Sequence, residues 1–241
     1  MRVTVNEKFI ERRAKLTRWA SLAGLGVLFL GLLASFNQEY FILSLPALAI
    51  GLVLASISSY NANRYIKEPR PDQVLTKVLR GFDKNYHLFN YTAPVPYVLV
   101  TPSRIYALLV KPHDGVIRRQ GNRWRRDFRW RRVIFLFGEE PLGNPTRDAY
   151  SAANRLQGEL NATLGEEAPS VEPIVVFTHP NVQLEVAEKT EGEGADVPVL
   201  AGSQLKKYIR AQPKGEAFKS DLRQRLTAFL QGPEHQQGDA E

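Results

Sequence analysis

Two long apolar runs stand out near the start of the chain. Residues 19–36 and 40–59 contain no charged side chain, and only Asn37-Gln38-Glu39 separates them. At about 1.5 Å per residue, helices over these runs would be roughly 27 and 30 Å long, and the hydrocarbon core of a bilayer is about 30 Å thick. Because backbone in lipid must satisfy its own hydrogen bonds, each run should be helical. The pattern predicts a transmembrane helical hairpin over residues 19–60.

Two alternatives exist for these runs: a hairpin buried in a soluble core, and a signal peptide in the first run. Two adjacent charge-free runs of this length are unusual in a soluble core. Ala34-Ser35-Phe36 is a poor cleavage site, and the second run would anchor the chain in any case. Small side chains recur every four residues along the second run, so we expect this face to contact the first helix; they are Ala47, Gly51, Ala55 and Ser59.

The charges that flank the hairpin predict its orientation. The connecting loop carries only Glu39, whereas basic residues precede the first helix and follow the second: Arg2, Lys8, Arg12, Arg13, Lys15 and Arg18, then Arg64, Lys67 and Arg70. The positive-inside rule places both termini in the cytoplasm. We therefore expect an integral protein of the cell (inner) membrane, with a basic cytoplasmic arm over residues 1–18 and a linker over 61–70.

Beyond the linker, segments whose apolar residues have the spacing of a helix are followed by segments with the pattern of strands. Amphipathic helices are predicted from Asp72 to near Gly81, over 145–164 with Asn144 as N-cap, and over 204–210 and 216–230. Short apolar runs predict strands at 97–100, 104–111, 116–117, 133–137, 173–178 and 197–200. This order is that of an α/β sandwich, so residues 71–231 should form one cytosolic domain. The polar tail, 232–241, is predicted to be disordered.

The composition of the chain excludes several kinds of chemical site. The 241 residues include no cysteine, which excludes disulfides, thiolate metal sites and cysteine nucleophiles. The four histidines show no paired spacing, which argues against a histidine-rich metal site. The net charge of +7 suits either anionic lipid or nucleic acid as a partner, and composition does not choose between them.

Several local motifs occur in a recognisable order. They are Val98-Leu99-Val100-Thr101-Pro102-Ser103, then Leu109-Val110-Lys111 with Gly115-Val116-Ile117 and Trp124, then Asn144-Pro145 with its alanine-rich helix, and finally 175–182. In this order and spacing, the segment from about residue 72 to 200 resembles the nuclease-related domain (NERD) family. That family is a branch of the PD-(D/E)XK nucleases. The resemblance implies a restriction-endonuclease-like mixed sheet flanked by helices.

The resemblance also implies where a metal site would lie, and this chain departs from it. Nucleases of this fold use an Asp on one strand and Glu-x-Lys on the next, and the two carboxylates hold Mg²⁺. Here the Asp position aligns with Pro96, or with Tyr97 after a one-residue shift, and the Glu position is Leu109. Only Lys111 remains. Because neither Pro96 nor Leu109 offers a side-chain oxygen, no metal ligand or catalytic residue is predicted, and no cofactor.

An active nuclease with a displaced carboxylate is the alternative, and only that alternative would require Mg²⁺. Asp72, Asp83 and Asp114 are the candidate carboxylates, although Asp114-Gly115 is typical of a turn. A structural pair of carboxylates close to the Lys111 amine would favour this alternative. His113 and His179 lie beside turn residues, so both are expected at the surface.

Residues 118–132 are strongly basic: eight of the fifteen are arginine. Gln120-Gly121-Asn122 predicts a hairpin turn. In a strand after it, arginines would alternate with aromatic residues, and Arg123, Arg125, Arg129 and Arg131 would share one face. This face could bind nucleic acid, could bind anionic lipid, or could be a solvated face over an aromatic core.

Together these features predict a membrane-anchored, catalytically inactive nuclease-related module. It would act in binding or scaffolding at the cytoplasmic face of the bilayer. The sequence identifies no protein partner.

Overall fold

The computed structural model describes residues 1–121, 123–127, 141–186 and 197–232. They divide into two units. A helical unit contains Glu7–Arg70, and an α/β unit contains Met1–Asn6, Pro71–Asp127 and the chain from Leu142 onward.

The helical unit consists of two long helices, α1 (Glu7–Ser35) and α2 (Phe41–Tyr65). Both are long and apolar enough to cross a membrane. Each continues past its apolar run into the charged sequence, so α1 includes most of the predicted basic arm and α2 includes part of the predicted linker.

Small residues line the contact between α1 and α2. A Cβ atom on Gly24 would lie 3.1 Å from Leu54 Cβ, and one on Gly31 would lie 2.9 Å from Ala47 Cβ. Buried positions recur every seven residues, at Ile10, Thr17, Gly24 and Gly31 in α1 and at Ser44, Gly51 and Ser58 in α2. A seven-residue repeat keeps one seam between two supercoiled helices. The predicted ridge of small residues is correct at Gly51, which is buried, and at Ala47, which lies against Gly31. The predicted Ser59 is only half-buried, whereas Ser58 is buried.

The α/β unit is built on a six-stranded mixed sheet with the order β1-β2-β3-β4-β7-β9. The strands are β1 (Arg2–Val5), β2 (His87–Asn90), β3 (Tyr97–Val100), β4 (Ile105–Lys111), β7 (Val171–Phe177) and β9 (Val199–Ala201). β4, β7 and β9 run parallel, β3 is antiparallel to both of its neighbours, and β1 is parallel to β2. The predicted mixed sheet is confirmed.

Helix α4 (Pro145–Leu164) precedes β7 in the chain and covers one face of the sheet, against β4 and β7. The Asn144 side chain accepts a hydrogen bond from the Arg147 amide at 3.2 Å, and Gly165 ends the helix with φ of 62°, as the sequence predicts. Its apolar face and α6 (Ser220–Gln231) enclose a core with Phe89, Val98 and Ala107. The predicted start of this helix, residue 216, lies four residues before the observed start at Ser220.

The opposite side chains of the sheet, such as Tyr106, Leu108 and Ile174, are also buried. Helix α5 (Gly202–Ala211) packs against β7, β9 and α3 (Pro71–Val78). Both faces of the sheet are therefore covered, which explains why β4 and β7 are almost continuously apolar.

A second sheet has the order β6-β5-β8, formed by β5 (Gly115–Gln120), β6 (Arg123–Arg126) and β8 (Val182–Val186). Gln120 pairs with Arg123 across the turn, and Gly121 has φ of 57°, so the predicted hairpin is confirmed. The predicted strand over 133–137 lies outside the described residues.

Candidate functional site

Of the two positions where the resemblance expects acidic residues, Leu109 lies on β4 and Pro96 immediately precedes β3. Val98 of β3 pairs with Ala107 of β4, and continuing this antiparallel register by two residues sets Pro96 opposite Leu109. Pro96 is fixed by the turn that joins β2 to β3, where its carbonyl accepts a hydrogen bond from the Tyr91 amide at 2.7 Å. The two positions where acidic residues are expected thus hold a proline, just before β3, and a leucine within β4.

The surroundings of Leu109 are apolar. Leu109 pairs with Val175 on β7 and packs in a cluster that includes Phe177 and Ala149, with Trp124 and Leu184 of the second sheet at its margin. An ionised carboxylate at this position would lose its hydration in such surroundings. The Leu109 side chain here contributes to the core that joins the two sheets.

Lys111 ends β4 and is only 5% exposed. Its carbonyl accepts a hydrogen bond from the Thr178 amide at 3.0 Å, beside its partner Phe177 on β7. The structure therefore buries Lys111 two residues beyond Leu109, on the same face of β4 by strand alternation.

His113 is not a surface residue, and the expectation from its turn neighbours was wrong. It is 4% exposed, and its ring lies edge-on to Phe177 with the centroids 6.4 Å apart. His113 lies in the turn between β4 and β5, and its imidazole packs against the Phe177 ring of β7. His179, by contrast, is half-buried, and its Nδ1 accepts a hydrogen bond from the Asn181 amide at 3.2 Å.

The three candidate carboxylates differ in their partners and in their burial. The Asp114 carboxylate forms a salt bridge with Arg126, whose Nε also donates to the Asp114 carbonyl at 3.0 Å. Asp83 is exposed and accepts a hydrogen bond from the Asn85 amide at 2.7 Å, as in a local turn. Asp72 is buried in the first turn of α3. Asp114 thus holds the β5–β6 hairpin to the end of β4.

The residues in the two acidic positions do not fit Mg²⁺. A hard cation requires oxygen ligands, and the side chains of Pro96 and Leu109 have none. Within the described parts of the chain, no group of three or more His, Asp or Glu residues is placed to hold a metal ion.

The arginine-rich segment is a strand as far as the structure describes it. In β6, Arg123 and Arg125 are exposed, whereas Trp124 and Arg126 are half-buried. Arg129 and Arg131 lie outside the described residues. Neither Arg123 nor Arg125 forms a salt bridge or side-chain hydrogen bond with any residue in the described ranges.

The neighbouring arginines have partners. Arg118, opposite Arg125, forms salt bridges with Asp127 at 2.8 Å and with Glu185 at 2.5 Å. The Arg119 guanidinium lies over the Trp124 ring, 5.8 Å from its centroid. The basic excess on the outer face of this sheet is therefore concentrated at Arg123 and Arg125.

One buried titratable group was missed by sequence reasoning. His87 on β2 is 8% exposed, its Nε2 lies 2.8 Å from Thr4 Oγ1 on β1, and its ring stacks on Phe89. Burial first, then the charges of Arg2 and Arg223, lower its pKa to about 4. No local pattern indicates this, because Thr4 and His87 meet only when β1 joins the sheet.

Comparisons with known proteins add one match. A family model described as the nuclease-related domain (NERD) matches residues 57–178. No curated protein and no solved structure has significant similarity to the chain.

Proposed function

Since the chain belongs to the nuclease-related domain (NERD) family, we propose that it is a membrane-anchored member that does not cleave nucleic acid. In this proposal it works without a resident metal ion, as a binding or scaffolding module at the cytoplasmic face of the inner membrane.

The residue types at the two expected acidic positions, Pro96 and Leu109, carry the proposal of catalytic inactivity. Two-carboxylate nuclease sites work by lowering the pKa of a metal-bound water and by stabilising charge on the phosphate. The side chains at the two expected acidic positions are those of Pro96 and Leu109, and neither has an oxygen atom that could bind the metal. Lys111 remains at the end of β4, but a lysine without metal ligands at these two positions has no means of generating hydroxide.

The exposed surface of the hairpin supports membrane anchoring. Large apolar side chains point outward along both helices, including Leu25 at 67% exposure and Ile42 at 78%. A soluble protein rarely exposes so large a contiguous apolar surface. In a bilayer the same side chains would contact acyl chains.

The position of β1 supports a topology with both termini on one side. β1 precedes the hairpin in the chain, and its partner β2 follows it, yet the two strands pair in one sheet over four residues. The N-terminal ammonium also donates a hydrogen bond to the Phe82 carbonyl at 2.7 Å. A membrane cannot separate two paired strands, so the hairpin must return the chain to its starting side. The flanking basic residues then indicate that this side is the cytoplasm.

The exposed side chains of Arg123 and Arg125 support a polyanion, nucleic acid or anionic lipid, as a partner of the second sheet. Within the described residues neither guanidinium group has a salt-bridge partner, so both can form charge-assisted hydrogen bonds with phosphates. Arg118 adds less, because Asp127 and Glu185 already neutralise it.

A cleavage assay tests the catalytic part of the proposal. The full chain, purified in detergent, is incubated with Mg²⁺ or Mn²⁺ and with supercoiled DNA, linear DNA or RNA. We expect no cleavage. Cleavage that disappears in a Lys111→Ala variant would show that another carboxylate arrangement supports catalysis. As a matched comparison, a Pro96→Asp/Leu109→Glu variant that remains folded should gain Mn²⁺ binding by calorimetry, whereas the parent should show none.

Reporter fusions test the topology. A C-terminal reporter should be active only in the form that reports cytoplasmic location, and the chain should resist extraction from membranes by alkaline carbonate. An extracytoplasmic C-terminus would contradict the proposed orientation. Extraction by carbonate would contradict the transmembrane assignment of both helices.

A further inference from the structure

We propose that Lys15, Arg18 and Trp19 of α1 form a binding site for an anionic phospholipid, with the phosphate on the two cations and an acyl chain along the helix below them. This inference rests on the membrane anchoring proposed above and adds a specific ligand to it.

The three side chains lie on one side of a continuous helix. α1 runs unbroken from Glu7 to Ser35, so residues three and four apart are neighbours on its surface. Arg18 and Trp19 follow Lys15 by three and four residues, and all three are exposed, Trp19 at 65%. Trp19 begins the charge-free run, so the cations are placed where head groups meet hydrocarbon.

The two cations lack competing partners. Within the described residues, neither Lys15 nor Arg18 forms a salt bridge or a side-chain hydrogen bond. Glu11 lies one turn before Lys15 without contacting it, and Glu7 is bridged to Arg70 at 3.3 Å. Arg13 is positioned differently, with its guanidinium 5.2 Å from the Phe9 ring centroid.

The apolar half of the site continues along the same side of α1. Leu22 and Phe29, 62% and 59% exposed, lie seven and fourteen residues beyond Lys15 and so share its face. Gly26 lies between them, and a Cβ there would have no atom within 4 Å. The result is a shallow apolar track below the cations. The α2 contact at Thr17, Gly24 and Gly31 occupies the opposite face, so the track is left for lipid.

This combination selects a phospholipid over other anions. A nucleic acid could use Lys15 and Arg18 but not an apolar track that starts at the neighbouring residue. Both cations lie within about 6 Å of Trp19 along the helix axis, less than the Debye length of about 8 Å, so they act within the surface potential of an anionic leaflet. Each basic residue near such a surface should raise affinity by about fivefold, so both should give up to about 30-fold.

Fluorescence quenching tests the site. The full chain is reconstituted into phosphatidylcholine vesicles that contain a small fraction of either dibrominated phosphatidylglycerol or dibrominated phosphatidylcholine. Carbonate extraction is measured first. A chain that fails to integrate refutes the anchoring, and with it this site, whereas an integrated chain allows the lipid preference to be judged alone.

In integrated protein, we expect brominated phosphatidylglycerol to quench tryptophan fluorescence at between five- and 30-fold lower mole fraction than brominated phosphatidylcholine. Trp19→Phe should abolish the difference, which assigns it to this side chain. Lys15→Gln/Arg18→Gln should remove the preference while quenching persists, and Lys15→Arg/Arg18→Lys should retain it.

The matched control is Lys84→Gln/Lys207→Gln, which removes two exposed positive charges of the α/β unit and should keep the preference. Equal quenching of the parent by both lipids would overturn the proposal. So would an equal loss of preference in the control variant, because the effect would then belong to net charge rather than to this face of α1.

Discussion

The burial of His87 predicts that the α/β unit loses stability in mildly acidic solution. The pKa of His87 is lowered from 6.5 to about 4, chiefly by burial and then by Arg2 and Arg223. A base with a lowered pKa in the folded state favours folding when it is neutral. Its contribution is therefore complete above pH 6.5 and is lost as the pH falls from 6.5 toward 4.

The size of the effect follows from proton linkage. With pKa values of 6.5 unfolded and about 4 folded, the free energy of unfolding should fall by about 2 kcal/mol between pH 7.5 and 5, and by about 3 kcal/mol at pH 4. A loss of this size is a substantial fraction of the stability of an ordinary domain.

Urea unfolding of the full chain in micelles, at pH 7.5 and pH 5, measures the loss. A His87→Gln variant should lose the contribution of this residue to the pH dependence. The fall in the free energy of unfolding from pH 7.5 to pH 5 should therefore be about 2 kcal/mol larger in the parent than in the variant. Thr4→Val is the matched control: it removes the contact between Thr4 Oγ1 and His87 Nε2 but leaves the ring buried, so most of the pH dependence should remain. An equal pH dependence in the parent and His87→Gln, or a ring pKa near 6.5 by NMR, would refute the reasoning.

Two further predictions concern the contact between α1 and α2 and the exposed arginines of the second sheet. In the hairpin, a Cβ on Gly51 would lie 2.5 Å from Leu28 Cγ and 3.2 Å from the Leu28 amide nitrogen, so Gly51→Ala should lower the melting temperature in micelles. Gly26→Ala, which meets nothing within 4 Å, should not, and equal melting of the two variants would contradict the packing. In the second sheet, Arg123→Gln/Arg125→Gln should weaken binding of the chain to DNA or to anionic vesicles, and the binding should weaken with salt. A parent that binds neither at low salt would exclude a polyanion-binding role for these two arginines.

Elements with a strong local signal could be predicted from the sequence. Helix α4 combines an N-cap, a proline in its first turn, a periodic apolar face and a terminal glycine, and its bounds match the prediction. The apolar runs of β4 and β7 are long enough to be recognised as buried strands. The turn signal after Gln120 likewise indicated the β5–β6 hairpin, whose register pairs Gln120 with Arg123.

Elements that depend on distant partners could not be predicted from the sequence. β1 is four residues long, and Arg2 and Thr4 dilute its apolar character, so nothing local distinguishes it from the basic helix that follows. It is stabilised by β2, more than 80 residues away in the chain. His113 was misjudged for a related reason: turn neighbours indicate exposure, but a turn can fold back over the aromatic residues of an adjacent strand.

The acidic positions were identified only through the family resemblance. No periodicity marks Pro96 and Leu109 as neighbours, since that follows from the β3–β4 register. The structure adds the reason why a leucine is accommodated there, namely a core shared by both sheets.

The helical hairpin formed by α1 and α2 separates β1 from β2 in the chain, and it also affects how the sheet can assemble during synthesis. β1 leaves the ribosome first, and about 80 residues must follow before β2 appears. Once α1 and α2 pair, Phe9 and Tyr65 lie with their rings 6.1 Å apart, so the chain has already returned close to its starting point. The loop that remains to be closed then shortens to roughly two dozen residues, which lowers its entropic cost by about 1 kcal/mol. Insertion of the hairpin into the membrane would thus prepare the first strand to meet its partner.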